Sequence, residues 1–299
     1  MTINTIAIIG SGDMGSAVGR VLGEHGYRVI TDLSGRSGHS KMLARNAGMQ
    51  DLGSLSAVVS EADVLLSILP PAVAEEFATA VAGVIAAGGV EVIYADCNAV
   101  SPQRVRRIAV LVEKAGAVFV DAGIVGPPPG AGPQPTRFYV SGPAAQVLSE
   151  LDGKGIQVKS MGEETGRAST MKMAYAALNK GSIALRTAVL MMARRLGVEQ
   201  ELRDELEYSQ PQVLENMCRV VPYLAAVSSR WEGEMYEIEA TFESAGITGG
   251  FHTAAAWVYA VLAQSELAGE KRSEQRQHRD LDRAVEIFLK AVPPPGTGD

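Results

Sequence analysis

The sequence predicts an α/β domain built on a doubly wound parallel sheet, followed by an all-α C-terminal domain. Two observations predict this division. Short apolar runs alternate with helical patterns as far as residue 160, and this alternation is typical of strand–helix–strand units whose strands run parallel. Beyond residue 160 no alternating strand pattern occurs, and one helical pattern follows another. We therefore expect an α/β domain over residues 1–161 and an all-helical domain over residues 162–299.

A glycine-rich turn follows the first apolar run. Ile6–Ile9 leads into Gly10, Gly12 and Gly15, and a helical pattern follows. The first glycine permits a sharp turn, the second lets a pyrophosphate approach the backbone, and the third lets the helix pack on the strand. The position of the motif favours a Rossmann dinucleotide-binding domain over an ordinary strand–helix turn. The expected cofactor contacts are Gly10, Ser11, Gly12, Asp13, Met14 and Gly15.

The remaining elements are predicted from periodicity and from proline and glycine. In the first domain we expect strands at residues 27–31, 64–69, 90–95, 117–121, 137–141 and 156–159, helices at 17–25, 40–47, 54–61, 72–87, 102–115 and from 144, and a loop at 123–135. In the second we expect a long interdomain helix over about 167–195, then helices at 201–209, 211–219, 223–230, 234–245, 252–266 and 281–291. Residues 269–280 read as a charge-rich linker or a solvated helix face, and 293–299 as a disordered tail.

Composition excludes several functional classes. The 299 residues carry a net charge of −7, which argues against binding the phosphate backbone of nucleic acid. We expect no apolar stretch of membrane-span length, and hence no membrane partner. Cys97 and Cys218 are too few for a disulfide framework, which fits a cytoplasmic location. The four histidines show no metal-ligand spacing, so we predict no metal.

The end of the second strand bears on the choice of cofactor. An acidic residue here binds the ribose 2′-hydroxyl of NAD, whereas arginine holds the 2′-phosphate of NADP. Asp32 is the candidate for NAD, but a comparison without gaps to the strands of related enzymes puts Leu33 at the selecting position. Because side chains alternate across a strand, Asp32 would then point to the other face. Ser34, Arg36 and Ser37 follow, with a guanidinium and two hydroxyls suited to a phosphate. We predict NADP, with NAD as the alternative if Arg36 is only a solvated loop residue.

Lys172 lies early in an apolar helix, between Met171 and Met173. A buried lysine is unfavourable unless its charge is used or paired. Beside a nicotinamide, its ammonium can donate a proton to a carbonyl oxygen, and the neutral amine can remove one from a hydroxyl. We expect burial to lower the pKa of this amine. Tyr175 and Asn179 share nearly the same helix face and can orient it. The alternative is a surface lysine whose stem covers apolar neighbours.

Five motifs together resemble a known family. They are GSGDMG at residues 10–15, SILPP at 67–71, DCNAVSP at 96–102, DAGIVG at 121–126 and the glycine–lysine helix at Gly166–Lys172. In this order they resemble the β-hydroxyacid dehydrogenases, related to 3-hydroxyisobutyrate dehydrogenase and 6-phosphogluconate dehydrogenase, over about residues 4–195. KMAYAALNKG and RWEGEMYEIEATFESAGITGG resemble a branch with a C-terminal phosphogluconate-dehydrogenase-like domain of unknown function.

The resemblance implies a role for each matching position. Leu69 and Pro70 would line the adenine and ribose side of the cofactor, and Lys172 would be the proton donor. Asn98 and Ser101 would lie along the nicotinamide and the substrate. The substrate's acid group would be held by backbone N–H groups of a loop formed by Gly123, Ile124, Val125 and Gly126. Helical spacing, and not the resemblance, adds Tyr175 and Asn179 to the candidate substrate residues.

Several positions depart from the family pattern. Val125, Gly126 and Pro127 stand where the family has a serine and two glycines. Tyr175 or Ala176 replaces the asparagine that usually follows the lysine by one turn. A basic residue of a later helix is replaced by Glu234 or Glu237, and Lys180 can supply positive charge unless it is solvated. These departures make a larger, less anionic substrate plausible. We expect Trp231 and Trp257 to be core residues rather than walls of the cleft.

The resemblance implies an NADP-dependent oxidoreductase that interconverts a hydroxyl and a carbonyl on a small polar, hydroxyacid-like substrate. An imine reductase of the same fold is an alternative, although those relatives carry aspartate or tyrosine where this chain has Lys172. A non-catalytic NADP-binding module is another. The resemblance also implies a homodimer.

Overall fold

The computed structural model of the 299-residue chain describes residues 2–270 and 279–293. The chain forms two compact units, Met1–Ala174 and Tyr175–Asp299. This division falls later than the boundary expected at residue 161, because Gly166 and Ser169 are hydrogen-bonded to Asp121 in the sheet of the first unit. The predictions of a linker and a disordered tail fall mostly on residues 271–278 and 294–299, which lie outside the described residues.

One sheet organises the first unit. Its strands are β1 (Thr5–Ile9), β2 (Arg28–Thr31), β3 (Gln50–Asp51), β4 (Val64–Ser67), β5 (Ile93–Asp96), β6 (Val118–Val125), β7 (Arg137–Ser141) and β8 (Gln157–Ser160). They lie in the order β3-β2-β1-β4-β5-β6-β7-β8. The strand order reverses between β1 and β4, because the chain first adds β2 and β3 on one side of β1 and then returns to add β4 on the other side. Nucleotides bind at such a switch in strand order. The predicted doubly wound α/β fold is confirmed.

Helices cover both faces of this sheet. They are α1 (Asp13–Glu24), α2 (Gly38–Asn46), α3 (Leu55–Glu61), α4 (Pro71–Gly88), α5 (Pro102–Lys114), a 3₁₀ helix at Ala145–Leu151, and α6 (Arg167–Ala176), which ends just beyond the unit boundary. Side chains alternate along β1, so Ile6 and Ile8 join one apolar layer, while Ala7 and Ile9 join the other.

Helix α4 is unusually apolar. Among the described residues it alone is long and apolar enough to cross a membrane by length and composition, with a mean hydropathy of 1.2. The expectation that no stretch reaches this length was therefore wrong. Core helices meet the same criterion, and α4 buries Ala74, Ala78, Val81 and Ile85 in one of the two apolar layers.

The pair β6–β7 is antiparallel, unlike the other neighbours in the sheet. Residues 126–136 join these strands without a helix, and such short connections suit antiparallel pairs. The predicted loop at 123–135 begins too early. Gly123, Ile124 and Val125 belong to β6, because they pair with residues 137–139 of β7.

The described part of the second unit contains helices and no strand, which confirms the all-helical prediction. Its helices are α7 (Ser182–Leu196), α8 (Glu199–Ser209), α9 (Pro211–Val220), a 3₁₀ turn at Val221–Tyr223, α10 (Ala225–Ser244), α11 (Gly250–Ala263) and α12 (Leu281–Lys290). Gly197, with φ of 75°, ends α7 as predicted.

Two details of this unit differ from the prediction. A π-helical turn at Ala177–Gly181 separates α6 from α7, and the hydroxyl of Tyr259 donates to the Lys180 carbonyl oxygen of that turn at 2.7 Å. The helices expected at 223–230 and 234–245 are one continuous helix, α10. Gly233 does not break it, since an interior glycine lowers helix stability by only about 1 kcal/mol.

Two glycines of α1 allow a matched test of the packing at the glycine turn. A Cβ on Gly15 would lie 2.0 Å from the carbonyl oxygen of Gly10, a backbone atom that cannot rotate away. We expect Gly15→Ala to lower stability by about 1–3 kcal/mol or more. Gly23→Ala would meet only Val29, at 3.9 Å, so it should be neutral or stabilising. Thermal unfolding of both variants tests this, and equal midpoints would contradict it.

Candidate active site

The glycine turn is held against the turn that follows β4. Gly10 has a φ of +105°, and a Cβ there would lie 2.1 Å from the Ile68 carbonyl oxygen. Only glycine allows both this backbone conformation and this contact. Gly12, in contrast, has open space where its Cβ would be. The turn is therefore closed on its protein side and open at Gly12, as close approach of a pyrophosphate requires.

The start of α1 offers unused polar groups to such a ligand. No side chain caps this helix at Gly12, and its first residues include Asp13 and Met14. The Ser11 hydroxyl is buried and has no hydrogen-bond partner among the described residues. A buried polar atom without a partner is unfavourable. The residues present thus fit a dinucleotide, with the diphosphate at the helix N-terminus.

Asn98 connects the turn that follows β4 to the end of β5. The N–H of Leu69 donates to its Oδ1 at 2.6 Å. Its Nδ2 donates to the Ser67 hydroxyl at 3.1 Å and to the Asp96 carboxylate at 3.0 Å. The side chain is only 1% exposed. Asn98, predicted to contact cofactor and substrate, therefore uses its side chain to fix the protein itself.

Lys172 lies at this same edge of the sheet. Its Nζ donates to the carbonyl oxygens of Cys97 at 3.1 Å and Asn98 at 3.0 Å. The side chain is half-buried. Through Asn98 and Leu69, the amine is connected to the turn against which Gly10 packs. The structure therefore brings together the predicted lysine, Asn98 and the glycine turn within the first unit.

The helix that carries Lys172 begins on a buried carboxylate. Asp121 accepts hydrogen bonds from the N–H groups of Gly166 and Ser169 at 2.9 and 3.1 Å, from the Ser169 hydroxyl at 2.6 Å and from the Ser141 hydroxyl at 2.8 Å. An anion at a helix N-terminus satisfies free N–H groups and interacts favourably with the helix dipole. Asp121 therefore fixes the start of α6.

Gly123 permits the close packing of α6 on β6. A Cβ there would lie 2.8 Å from the Ala168 carbonyl oxygen and 3.1 Å from the Lys172 Cβ. This residue was expected in a substrate-binding loop, as were its three successors. The structure places it in β6 with Ile124 and Val125, whose side chains are buried, and only Gly126 leaves the strand, with a φ of +109°.

Ser101 and Pro70 both lie at helix starts. Ser101 precedes α5 and is 4% exposed. Pro70 precedes α4, directly after Leu69. Both therefore stand beyond the carboxyl ends of β4 and β5, the edge of the sheet that Lys172 also occupies.

The residues after β2 form a tight polar turn. The Asp32 carboxylate accepts from the N–H of Ser34 at 2.9 Å, and the Ser34 hydroxyl donates to the Gly53 carbonyl oxygen. Leu33 is 3% exposed and belongs to the apolar core, so its side chain is not a cofactor ligand. The Ser37 hydroxyl caps α2 by accepting from the Ser40 N–H at 3.2 Å.

Arg36 follows in the same turn. Its backbone N–H donates to the Leu33 carbonyl oxygen at 3.2 Å. Its guanidinium has no hydrogen bond or ion pair within residues 2–270 and 279–293. The first turn of α2 carries no acidic residue. These features leave a positive charge beside a helix N-terminus.

The second unit accounts for the other predicted residues. Tyr175 and Asn179 are exposed, and the Asn179 Nδ2 donates to the Tyr175 carbonyl oxygen at 3.0 Å. Lys180 is not solvated, because it forms an ion pair with Glu234, which also pairs with Arg230. Burial lowers the pKa of Lys180, while Glu234 opposes the shift.

The two tryptophans also lie in this unit. Trp231 packs edge-on against Tyr259, with ring centroids 5.4 Å apart, and lies beneath the Lys180 ammonium. Trp257 is 50% exposed and is not a core residue, contrary to the prediction.

Comparison with known proteins identifies the two parts of the chain. Residues 5–151 match the NAD binding domain of 6-phosphogluconate dehydrogenase, and residues 193–262 match a domain of unknown function, DUF1932. The chain therefore joins an NAD-binding domain similar to that of 6-phosphogluconate dehydrogenase to a C-terminal part similar to DUF1932. The predicted family resemblance, including its branch, is confirmed.

Individual relatives agree with this assignment. An uncharacterised 28.5 kDa protein of Methanothermus fervidus is 28% identical, covering 78% of this chain and 89% of that protein. The structure of MTH1747, a conserved protein of unknown function described as similar to 3-hydroxyacid dehydrogenases, is 29% identical, covers 86% of this chain and 96% of that one, and has a TM-score of 0.63.

More distant structures share the fold. Mycobacterium tuberculosis 3-hydroxyisobutyrate dehydrogenase is 19% identical over 95% of this chain and 99% of that one, with a TM-score of 0.64. An imine reductase of Bacillus cereus is 18% identical over 95% and 99%, with a TM-score of 0.52. At these identities the two structures show a shared fold, and the NAD-binding domain follows independently from the match over residues 5–151.

Sequence reasoning missed two acidic residues of the NAD-binding domain. Asp96 and Asp121 are fully buried and pair in register on β5 and β6. Burial raises the pKa of Asp96 to about 7, and Asp121 adds to the shift, whereas the hydrogen bonds from Asn98 and the charge of Lys172 oppose it. Each aspartate is the first residue of one of the quoted motifs, DCNAVSP and DAGIVG. This position within a motif is the sequence feature from which the two residues could have been found.

The described residues contain no group of three or more histidine, cysteine or acidic side chains placed to hold a metal.

Proposed function

We propose that the protein is an NADP-dependent oxidoreductase that interconverts a hydroxyl and a carbonyl on a small polar, hydroxyacid-like substrate, with Lys172 as the general acid and base. One observation carries the proposal. The Lys172 amine is held at the carboxyl ends of the strands, on the same edge as the glycine turn of the NAD-binding domain. A bound nicotinamide supplies or accepts the hydride.

The contacts of Lys172 suit proton transfer. Two carbonyl oxygens accept from its Nζ, so the ammonium has fixed neighbours before any substrate binds. In reduction, the ammonium would donate its proton to the oxygen of the substrate carbonyl. In oxidation, the neutral amine would remove the proton of the hydroxyl. A positioned donor requires less reorganisation when charge develops on that oxygen.

The substrate class is inferred from β6. Val125 is buried where the family has a serine, so this position offers no hydroxyl to a carboxylate. This supports a substrate less anionic than a simple hydroxyacid, bound close to the Lys172 amine.

The central test is replacement of Lys172. We expect Lys172→Met to lower kcat by about 10²- to 10⁴-fold, because the proton donor is lost, with the Kd for NADPH unchanged. Lys114→Met, which removes a lysine from the last turn of α5, is the matched control and should leave kcat unaltered. The assay uses a panel of hydroxyacids, aldehydes, alcohols and cyclic imines with NADP and NADPH.

Each alternative gives a distinct result in this panel. Turnover of cyclic imines only would favour an imine reductase. No turnover by the unaltered protein, despite normal NADPH binding, would favour a non-catalytic cofactor-binding module. Equal kcat in Lys172→Met and the unaltered protein would contradict the role of the lysine.

The preference for NADP is inferred from the turn after β2. The Arg36 guanidinium is without a partner among the described residues, and Ser37 caps the N-terminus of α2. The Asp32 carboxylate is turned back onto the Ser34 N–H. A guanidinium beside a helix N-terminus is suited to a 2′-phosphate.

Replacement of Arg36 tests this preference. We expect Arg36→Ala to raise the Kd for NADPH about 10- to 100-fold, the loss typical of a charge-assisted hydrogen bond, and to leave the Kd for NADH unchanged. Arg45→Ala, in the last turn of α2, is the control. An unchanged Kd for NADPH in Arg36→Ala, with a raised Kd for NADH in Asp32→Ala, would favour NAD.

We also propose a homodimer formed through α7. Leu185, Met192 and Leu196 lie at spacings of seven and four residues, and are 66%, 49% and 69% exposed. Such spacing places them on one face of the helix. Exposed apolar stripes of this kind often form interfaces.

We further propose that the protein is located in the cytoplasm and binds neither nucleic acid nor a membrane.

The oligomeric state can be measured by size-exclusion chromatography with light scattering. We expect a dimer for the unaltered protein and a monomer for Leu185→Lys, because a charge in the apolar interface is unfavourable. Tyr208→Lys, at a residue 88% exposed on α8, should remain a dimer. A monomer for the unaltered protein would refute the proposal.

A further inference from the structure

The carbonyl oxygens that accept from the Lys172 amine belong to a short segment, Asp96–Asn98, that is held by hydrogen bonds between its own residues. We propose that Asp96 is a positioning residue for Lys172, which acts by fixing the backbone of Cys97 and Asn98 whose carbonyl oxygens accept from the amine. This inference rests on the proposed function, in which Lys172 transfers the proton.

The first step of the argument is the contact between Asp96 and Asn98. Asp96 Oδ1 accepts from the Asn98 backbone N–H at 3.0 Å. Its Oδ2 accepts from the Asn98 Nδ2, also at 3.0 Å. Both oxygens of the carboxylate thus bind the same residue, once at its backbone and once at its side chain. The peptide between Asp96 and Asn98 is held in one conformation as a result.

The second step fixes the orientation of the Asn98 amide. Its Oδ1 must accept from the Leu69 N–H, so its Nδ2 is directed to Asp96 and Ser67. The reversed amide would place two donors against each other at Leu69. Because Nδ2 can only donate, its partner at Asp96 has to be an acceptor, and an ionised carboxylate is the strongest one.

The third step concerns charge. Asp96 is fully buried. The charges of Asp121 and Lys172 shift the pKa of Asp96, and the charge of Asp96 in turn raises the pKa values of Tyr94 and Cys97. Lys172 is the one cation in this set. The carboxylate therefore stabilises the ammonium in two ways, by direct attraction and by holding the carbonyl oxygens in place.

The reactivity of Lys172 in the full-length protein, without cofactor or substrate, tests the proposal. The protein is treated briefly with acetic anhydride between pH 6 and pH 11, and the acetylation rate of each lysine is read by mass spectrometry. In Asp96→Asn we expect the midpoint pH of Lys172 acetylation to fall by about one unit, the shift typical of removing a nearby opposite charge. Lys114 and Lys159 should keep their midpoints and serve as internal standards.

A control variant at the half-buried Asp63 separates this effect from the loss of any hydrogen-bonded aspartate. Asp63 accepts from two backbone N–H groups, those of Asn4 and Thr5, but it precedes β4 and lies at the opposite end of the sheet. Asp63→Asn should leave the midpoint of Lys172 unchanged. An equal midpoint in Asp96→Asn and the unaltered protein would overturn the proposal, and so would an equal shift in Asp63→Asn.

A second variant covers the possibility that Asp96→Asn does not fold. Ser67→Ala removes one partner of the Asn98 amide and leaves the Asp96 charge in place. We expect Lys172 to be acetylated up to about fivefold faster relative to Lys114, as the loss of one hydrogen bond allows, at an unchanged midpoint. An unchanged relative rate would overturn the proposal. A shifted midpoint without enzymatic turnover would support the positioning role and contradict the proposed function.

Discussion

The hydrogen bonds from the Lys172 amine to the carbonyl oxygens of Cys97 and Asn98 are the interaction on which the site depends. They join a helix to the end of β5, and each side is fixed by a buried aspartate. Asp121 holds the start of α6, and Asp96 holds the segment that bears the carbonyl oxygens. A long, flexible side chain thereby acquires a defined position, since the groups that bind it cannot move independently.

Close backbone contacts make this arrangement possible, and they depend on the absence of side chains. At Gly10 the glycine turn meets the Ile68 carbonyl, at Gly15 helix α1 meets the turn, and at Gly123 helix α6 meets β6. In each case a Cβ would fall within 3 Å of a backbone oxygen. Backbone cannot yield as a flexible side chain can, so these three positions bring the glycine turn and the Lys172 amine to one edge of the sheet.

Local patterns predicted the features that depend on local sequence. The glycine turn and the alternation of strands and helices belong to this group, whereas the placing of Lys172 and Asn98 in one site came from the resemblance to a family and stays a prediction. Residues 123–125 were missed as strand because their pairing with β7 is not local. The ion pair of Lys180 with Glu234 was missed for the same reason, since α10 lies far along the chain. The burial of Asp96 and Asp121 is likewise a result of packing on both faces of the sheet.

The two buried aspartates differ in how well their charge is compensated. Asp121 accepts four hydrogen bonds, two of them from a helix N-terminus. Asp96 accepts two, both from Asn98, and burial raises its pKa to about 7. The Lys172 ammonium is one of the influences that lower this pKa. When Lys172 gives up its proton, that influence is lost, so the affinity of Asp96 for a proton rises. The charge states of the two residues are therefore linked, and the clamp on the carbonyl oxygens is strongest while the amine is protonated.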